Sequence, residues 1–148
     1  MSSLGSRVQK TLWRFGSTTM VWLYRKSGGR VGGRVRGLQV VLLTVAGRKS
    51  GQPRTAAVSW FPHGEGHIVV GSAGGLPQEP QWFKNLRHAE SAQVQVGRET
   101  FAASVRVLEG EERDRVWRDV VLARAPSFAQ YEVKGRRTIP LAELTRTG

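Results

Sequence analysis

The segment best equipped for chemistry covers residues 44–54, "TVAGRKSGQPR", where an apolar run ends at a glycine. Guanidinium groups donate paired hydrogen bonds to phosphate or carboxylate oxygens, and a lysine adds a compact positive charge. Glycine permits the positive φ angles with which a turn directs several backbone N–H groups to one side. The candidate contacts are Arg48, Lys49, Ser50, Gln52 and Arg54. The segment favours an anion-binding turn, although an ordinary basic hairpin turn has the same composition.

A second glycine-bearing loop lies in residues 71–86, "GSAGGLPQEPQWFKNL", between a predicted strand and a predicted helix. Its small side chains let a flat ring or a phosphate approach the backbone closely. Trp82 is also expected to be a core anchor of the helix. The candidate contacts are Ser72, Ala73, Gly74, Gly75, Gln81, Trp82 and Asn85. Two loops that follow strands, one of them strongly cationic, favour a single ligand that bridges both.

The sequence offers little metal or acid–base chemistry of its own. His63 and His67 are four residues apart, but Pro62 and the neighbouring glycines exclude the helix that would align them on one metal ion. Cysteine is absent, so there is no thiolate site and no disulfide framework. We therefore predict no metal site, and we expect a bound cofactor to carry the chemistry.

Positive charge is concentrated at the start of the chain. The formal net charge of the 148 residues is +12, and the first acidic residue is Glu65. Residues 1–54 contain eight arginines and three lysines, whereas residues 55–148 hold twelve cations and eleven acids. This asymmetry predicts a polyanionic partner, which is a nucleic acid, an anionic membrane surface or a small ligand that carries phosphates and carboxylates.

The elements that position these loops are short strands and a few helices. Apolar or alternating runs predict the strands, and a first-turn proline or an acid-to-base gradient predicts the helices. The predicted strands cover residues 39–46, 54–61, 67–73, 91–96, 100–107 and 137–144, and the predicted helices cover residues 80–89 and 109–124. The pattern indicates an α+β domain built around a small antiparallel barrel flanked by helices.

The N-terminal segment is expected to form a separate basic element. Residues 4–24 place apolar side chains on roughly one helical face, which predicts an amphipathic helix that packs on the domain or lies on a membrane interface. Five glycines and three arginines in residues 27–37 predict a flexible connector. We therefore divide the chain into an N-terminal region, residues 1–36, and a barrel domain, residues 37–148.

Three segments together resemble the deazaflavin-dependent nitroreductase family. They are "LLTVAGRKSGQPR", "HIVVGSAGGLPQEPQWFKNL" and "YEVKGRRTIPL", and they occur in the family's order with similar spacing. Members of that family are split β-barrel proteins that bind coenzyme F420, an 8-hydroxy-5-deazaflavin whose phosphodiester tail ends in glutamates. The resemblance implies a small split antiparallel β-barrel and F420 as cofactor, with FMN the less favoured choice.

The resemblance also implies roles for residues at matching positions. The turn that binds the cofactor tail is matched by Arg48, Lys49, Ser50 and Arg54. The loop beside the deazaflavin ring and phosphate is matched by Ser72, Ala73 and Gly74, and the helix entrance after it by Gln81, Trp82 and Asn85. Related proteins line the acceptor pocket with tyrosines, of which Tyr131 remains here as the candidate catalytic residue, with Ala125, Phe128 and Ser59 at other matching places.

The reaction implied by the resemblance is hydride transfer between the reduced deazaflavin and a small-molecule electron acceptor such as a quinone. Two alternatives stay open: an FMN-using split-barrel oxidoreductase, and a non-enzymatic basic nucleic-acid-binding module. The sequence has neither an ordered set of aromatics of the OB or RRM type nor a helix-turn-helix, so we expect no specific nucleic-acid partner.

The expected location is the cytoplasm. The chain lacks cysteine and has no apolar stretch long enough to span a bilayer, which fits that compartment. The basic segment of residues 4–26 would allow peripheral attachment to an anionic membrane surface on the inner face of the cell membrane. A homodimer is a further expectation.

Overall fold

In a computed structural model, the structure describes residues 21–30, 33–35 and 38–147. Residues 21–27 are helical and are called α1 here. Most of the helix predicted over residues 4–24, and most of the membrane-binding segment of residues 4–26, lie outside the described residues. Both expectations stay predictions.

Six strands close into an antiparallel barrel, and a seventh short strand pairs with the beginning of one of them. The barrel order is β2, β3, β4, β7, β6 and β5, and β5 pairs back onto β2. The short strand β1 pairs with β2. The bounds are β1 Arg34–Val35, β2 Leu38–Ala46, β3 Pro53–His63, β4 Gly66–Val70, β5 Ser91–Val96, β6 Glu99–Val107 and β7 Leu141–Arg146. The predicted α+β barrel is thus confirmed, and closure leaves few unpaired strand edges.

Besides α1, the described chain has helices at two places on the barrel. The helix α2, Gln81–Leu86, follows β4, and a longer helical stretch connects β6 to β7. That stretch consists of α3 Gly110–Val116, a π-helical turn Trp117–Val121, α4 Leu122–Arg124, a 3₁₀ turn Pro126–Phe128 and α5 Ala129–Gly135. The predicted helix over residues 109–124 is confirmed, with a π turn at its centre that sequence periodicity did not indicate.

Apolar side chains on the two faces of the strands form two separate core clusters. Val41, Leu43 and Val45 of β2 point into the barrel, where Phe83 and Leu86 of α2 pack against them. A second cluster lies outside the barrel, between strands β3, β4 and β7 and the helices that follow β6; it includes Phe61 and Trp117. Because β2 is covered on both faces, Val40–Leu43 are all buried, as the continuous apolar run predicted.

The predicted bounds of two strands and one helix were wrong, in each case next to a glycine or a proline. The strand expected over residues 67–73 ends at Val70, since Ser72 begins a tight turn. The strand expected over residues 137–144 begins only at Leu141, after Pro140. The helix expected over residues 80–89 covers only Gln81–Leu86.

The helix α1 packs on the barrel through one tyrosine. Tyr24 is 1% exposed, and its hydroxyl accepts a hydrogen bond from the Gly97 N–H at 2.9 Å and donates to the Gln95 carbonyl at 3.3 Å. Trp22, two residues earlier, is exposed and has the Lys26 ammonium 5.5 Å from its ring centroid. The described part of the N-terminal helix therefore has one side on the β5–β6 hairpin and another in solvent.

We predict a pH dependence of stability that originates at His67. The imidazole stacks on Trp60 with ring centroids 3.6 Å apart, and burial lowers the pKa of His67 from its ordinary value. As the pH falls through about 6.5, the unfolded chain therefore takes up this proton before the folded protein does. The contribution of His67 to the free energy of unfolding is therefore fully retained above that pH and decreases as the pH is lowered further.

The test is thermal unfolding of the His67→Phe variant across this pH range. Phe retains the stacked ring without the titrating group, so the variant should lose less of its Tm than the wild type between about pH 7.5 and 5.5. The exposed His88, replaced by Gln, is the control and should leave the wild-type profile unchanged. Identical profiles for the wild type and His67→Phe would contradict the assignment.

Candidate cofactor-binding site

The cationic turn is the loop of the β2–β3 hairpin. The Gly47 N–H donates to the Gln52 carbonyl, and the Gly51 N–H donates to the Gly47 carbonyl, both at 2.8 Å. The Ser50 hydroxyl accepts a hydrogen bond from the Gln52 N–H at 3.2 Å. Gly51 has φ +74°, a conformation in which a side chain is strained. These bonds leave the backbone N–H groups of Lys49 and Ser50 without a partner among the described residues.

Arg48 ties this turn to the start of α2. Its backbone N–H and its Nη1 both donate to Asn85 Oδ1, at 3.1 and 2.9 Å, and its Nη2 donates to Gln81 Oε1 at 3.0 Å. Asn85 is one of the few buried polar side chains, with 7% exposure. The structure therefore brings three predicted site residues into direct contact. It also commits two guanidinium nitrogens and the backbone N–H of Arg48 to the protein, which makes Arg48 a support of the turn rather than only an anion ligand.

Lys49 and Arg54 are the side chains of the turn that remain available to a ligand. Both are exposed, and neither has a hydrogen bond or an ion pair with any described residue. All salt bridges in the described part of the chain join residues from His63 onward. The positive potential at the turn is therefore not neutralised by a neighbouring carboxylate in that part of the chain.

The second predicted loop follows β4 and has an unusual backbone. Ala73, Gly74 and Gly75 have φ angles of +49°, +63° and +85° in succession. A left-handed conformation costs a residue with a Cβ roughly 1–2 kcal/mol, so Ala73 must be held there by its surroundings. A Cβ at Gly74 would meet nothing within 4 Å, so this side of the loop is open. The loop leaves room for a flat group to approach its backbone.

The helix α5 packs against the other side of this loop and carries the candidate catalytic residue. A Cβ at Gly75 would lie 3.0 Å from Lys134 Cδ and 3.3 Å from Tyr131 Cδ1. The Tyr131 ring is half-buried and meets the Phe128 ring edge-on, with centroids 5.0 Å apart. Phe128 in turn contacts Phe61 of the outer cluster. Glycine at position 75 is what allows Tyr131 to sit next to the loop.

Trp82 differs from its predicted role as a core anchor, and Ser59 lies away from the cationic turn. Trp82 is only half-buried and packs on the barrel cluster from outside; the core anchor of α2 is its neighbour Phe83, which is 0% exposed. Ser59 lies on β3, paired with Val40 in the β2–β3 ladder.

One residue that the sequence did not single out is central to the second loop. Arg137, before β7, donates hydrogen bonds to four backbone carbonyls between Gly71 and Gln78. Burial lowers the pKa of its guanidinium from the ordinary value. The only sequence signal was an arginine pair in "KGRRTIPL", and nothing local to that pair indicates a contact about 60 residues away in the chain.

The described residues form neither a metal-binding cluster nor a membrane-spanning helix. In residues 21–30, 33–35 and 38–147, no cluster of three or more His, Asp or Glu side chains is arranged to hold a metal ion. No helix in the same part of the chain has the length and hydropathy required to cross a bilayer. A groove of about 370 Å³ between α1 and β2, lined by Tyr24, Arg30 and Arg34 among others, contains none of the predicted site residues.

Comparison with known proteins gives consistent matches. The family F420H(2)-dependent quinone reductase matches residues 17–146. The F420H(2)-dependent quinone reductase Rv1261c of Mycobacterium tuberculosis is 32% identical over 127 residues, which cover 84% of this chain and 85% of the relative. The solved structure of F420-H2 dependent reductase (FDR-A) is 32% identical, with a TM-score of 0.62 over 71% of this chain and 92% of that one. A structure described as a domain-swapped dimer is 26% identical, with a TM-score of 0.63 over 96% and 99% of the two chains.

The link between turn and helix leads to a stability prediction. Asn85→Leu keeps the approximate volume but removes the oxygen that accepts two hydrogen bonds from Arg48. Leaving such donors unpaired near the core should cost about 1–3 kcal/mol in the free energy of unfolding. Asn85→Asp keeps an acceptor oxygen and should cost clearly less. Urea unfolding measures both, and a wild-type stability for Asn85→Leu would show that the contact contributes nothing.

Proposed function

The chain belongs to the F420H(2)-dependent quinone reductase family, and on that premise we propose which residues hold its cofactor and which acceptor it reduces. The protein is an F420H2-dependent oxidoreductase with coenzyme F420 as cofactor. We propose that the acceptor is a quinone-type small molecule, that the cationic turn binds the cofactor tail, and that the loop after β4 lies beside the ring. The observation that supports this placement most is a turn held by hydrogen bonds, in which the Lys49 and Arg54 side chains and two backbone N–H groups have no partner among the described residues.

The turn has the donors that a polyanionic tail requires. Lys49 and Arg54 offer charged donors, and neither these side chains nor the N–H groups of Lys49 and Ser50 have a partner among the described residues. Hydrogen bonds to charged groups contribute about 1.5–3 kcal/mol each, compared with about 1 kcal/mol for neutral ones. Arg48 keeps the turn in place through Asn85, so the donors lose little freedom when the tail binds.

The loop after β4 fits the flat part of the cofactor. The N–H groups of Ser72, Ala73 and Gly74 have no partner among the described residues, and Gly74 leaves the approach open. The helix α2 runs directly from this loop to the residues that hold Arg48, so one short segment connects the two halves of the site. Gln81 and Trp82 lie at the junction.

The acceptor is placed on the side of α5. Reduction of a quinone to a hydroquinone takes a hydride and a proton, and the reduced deazaflavin supplies the hydride. Tyr131 lies against the loop at Gly75 and is one of the two tyrosines of the chain. We propose that its phenolic hydroxyl orients the quinone oxygen and gives it the proton, while Phe128 and Ala125 provide an apolar wall.

The tail site is tested with the Lys49→Ala, Arg54→Ala double variant. Loss of two charged donors should weaken F420 binding well over tenfold, because each contributes about 1.5–3 kcal/mol. The control is Arg115→Ala with Arg118→Ala, which removes the same charge from the exposed face of the helical stretch. Titration of F420, monitored by its absorbance or fluorescence, measures the Kd. Equal affinity in the double variant and the wild type would rule out the proposed tail site.

The proton-donor role is tested with Tyr131→Phe. Turnover with a soluble quinone at saturating F420H2 should fall at least about tenfold, while the Kd for F420 changes less than about threefold. The matched control is Tyr24→Phe, the other tyrosine of the chain, whose hydroxyl bonds to the β5–β6 hairpin. It should lower stability but not turnover. Unchanged turnover in Tyr131→Phe would exclude the hydroxyl from the reaction.

A further inference from the structure

Arg137 holds the loop after β4 by four hydrogen bonds to backbone carbonyls. Its Nε donates to the Leu76 oxygen at 3.0 Å, and its Nη2 lies 3.1, 3.0 and 3.2 Å from the oxygens of Gly71, Ser72 and Gln78. These carbonyls span eight positions of the loop and converge on one side chain. A single guanidinium therefore fixes the path of the whole segment.

This convergence determines where the amide hydrogens point. In a planar trans peptide the N–H is directed opposite to the C=O of the preceding residue. Because the carbonyls of Gly71 and Ser72 face Arg137, the N–H groups of Ser72 and Ala73 face away from it. Neither N–H has a partner among the described residues. Two unpaired donors therefore point together from the opposite side of the loop.

The strained backbone at the same place requires such an external hold. Ala73 is one of two residues other than glycine with positive φ in the described chain, at +49°. Two hydrogen bonds close the turn locally, from the Gly75 N–H to the Ser72 oxygen and from the Leu76 N–H to the Ala73 oxygen. The Ser72 oxygen is thus shared by the turn and by Arg137, so loss of the guanidinium should loosen the turn.

We propose that Arg137 is a positioning residue that presents the Ser72 and Ala73 amides to an oxygen atom of the bound cofactor, on its ring or on the adjacent phosphate. This inference rests on the proposed function, which places the cofactor beside this loop. Arg137 does not touch the cofactor in this scheme. Its positive charge also polarises the peptide groups that it binds, which strengthens their N–H groups as donors.

An arginine is required for this role because of its shape. Two nitrogens of its planar fork, Nε and Nη2, face different carbonyls of the loop at a fixed spacing, whereas a lysine has only one nitrogen to donate from. The segment that carries Arg137 also approaches the loop closely, since a Cβ at Gly135 would lie 2.9 Å from the Leu76 oxygen. The glycine allows the contact, and the guanidinium completes it.

The test compares Arg137→Gln and Arg137→Lys with the control Arg136→Gln. Arg136 is the exposed neighbour, and its positive φ is equally strained with arginine or glutamine, so the control removes one charge and nothing else. In cofactor-free protein, hydrogen exchange at the Gly75 and Leu76 amides should accelerate at least tenfold in Arg137→Gln and stay unchanged in the control.

Cofactor titration and steady-state kinetics supply the second readout. The Kd for F420 should rise at least tenfold in Arg137→Gln, rise less in Arg137→Lys, and change less than threefold in Arg136→Gln. Turnover at saturating cofactor should change less than threefold, because the amides contribute to binding before and during the reaction alike.

Two outcomes overturn the inference, and they are distinct from failure of the proposed function. Unchanged hydrogen exchange in Arg137→Gln would show that the guanidinium does not hold the loop. An equal loss of affinity in Arg137→Gln and Arg136→Gln would reduce its role to charge. A wild-type protein that fails to bind F420 would overturn the proposed function, and with it the assignment of the two amides, whatever the exchange rates of the variants.

Discussion

The attachment of a cationic hairpin turn to a short helix is the contact on which the proposed site depends. Asn85 is buried on the inner side of α2, and its amide oxygen accepts hydrogen bonds from both the backbone and the side chain of Arg48. The helix is itself anchored in the barrel by Phe83 and Leu86. Through this chain of contacts the packing of the barrel determines where Lys49 and Arg54 stand. Without it, the turn would be an exposed loop with mobile charges, and binding would have to restrict that freedom first.

The distribution of charge also distinguishes this turn from the rest of the described chain. Seven of the eleven acidic side chains pair with arginines of the barrel and its helices, as Glu112 and Glu143 do with Arg106. The hydrogen bond from Arg106 lowers the pKa of Glu112 from its ordinary value. The cations of residues 48–54 have no such carboxylate partners in the described chain. The positive potential at this turn is therefore not neutralised by the described carboxylates and is available to an anionic ligand.

Local sequence patterns predicted most of the fold and the two loops, because strand alternation, glycine placement and charge are local signals. Val40–Leu43 read correctly as a strand covered on both faces, and "GRKSG" read correctly as a turn. Local patterns could not predict that Arg48 binds the protein, since its partners lie more than 30 residues later. Arg137 was missed for the same reason. The π turn at Trp117–Val121 has no distinct periodicity, and the burial of Phe83 in place of Trp82 depends on the rotation of a short helix.

A crystal structure of the protein with bound F420 tests the central claim most directly. We expect phosphate or carboxylate oxygens of the tail to lie about 2.7–3.2 Å from the Lys49 ammonium, the Arg54 guanidinium and the N–H groups of Lys49 and Ser50. We also expect Arg48 to remain bound to Asn85. A tail ordered at another surface, with the turn unchanged and free of ligand contacts, would contradict that claim.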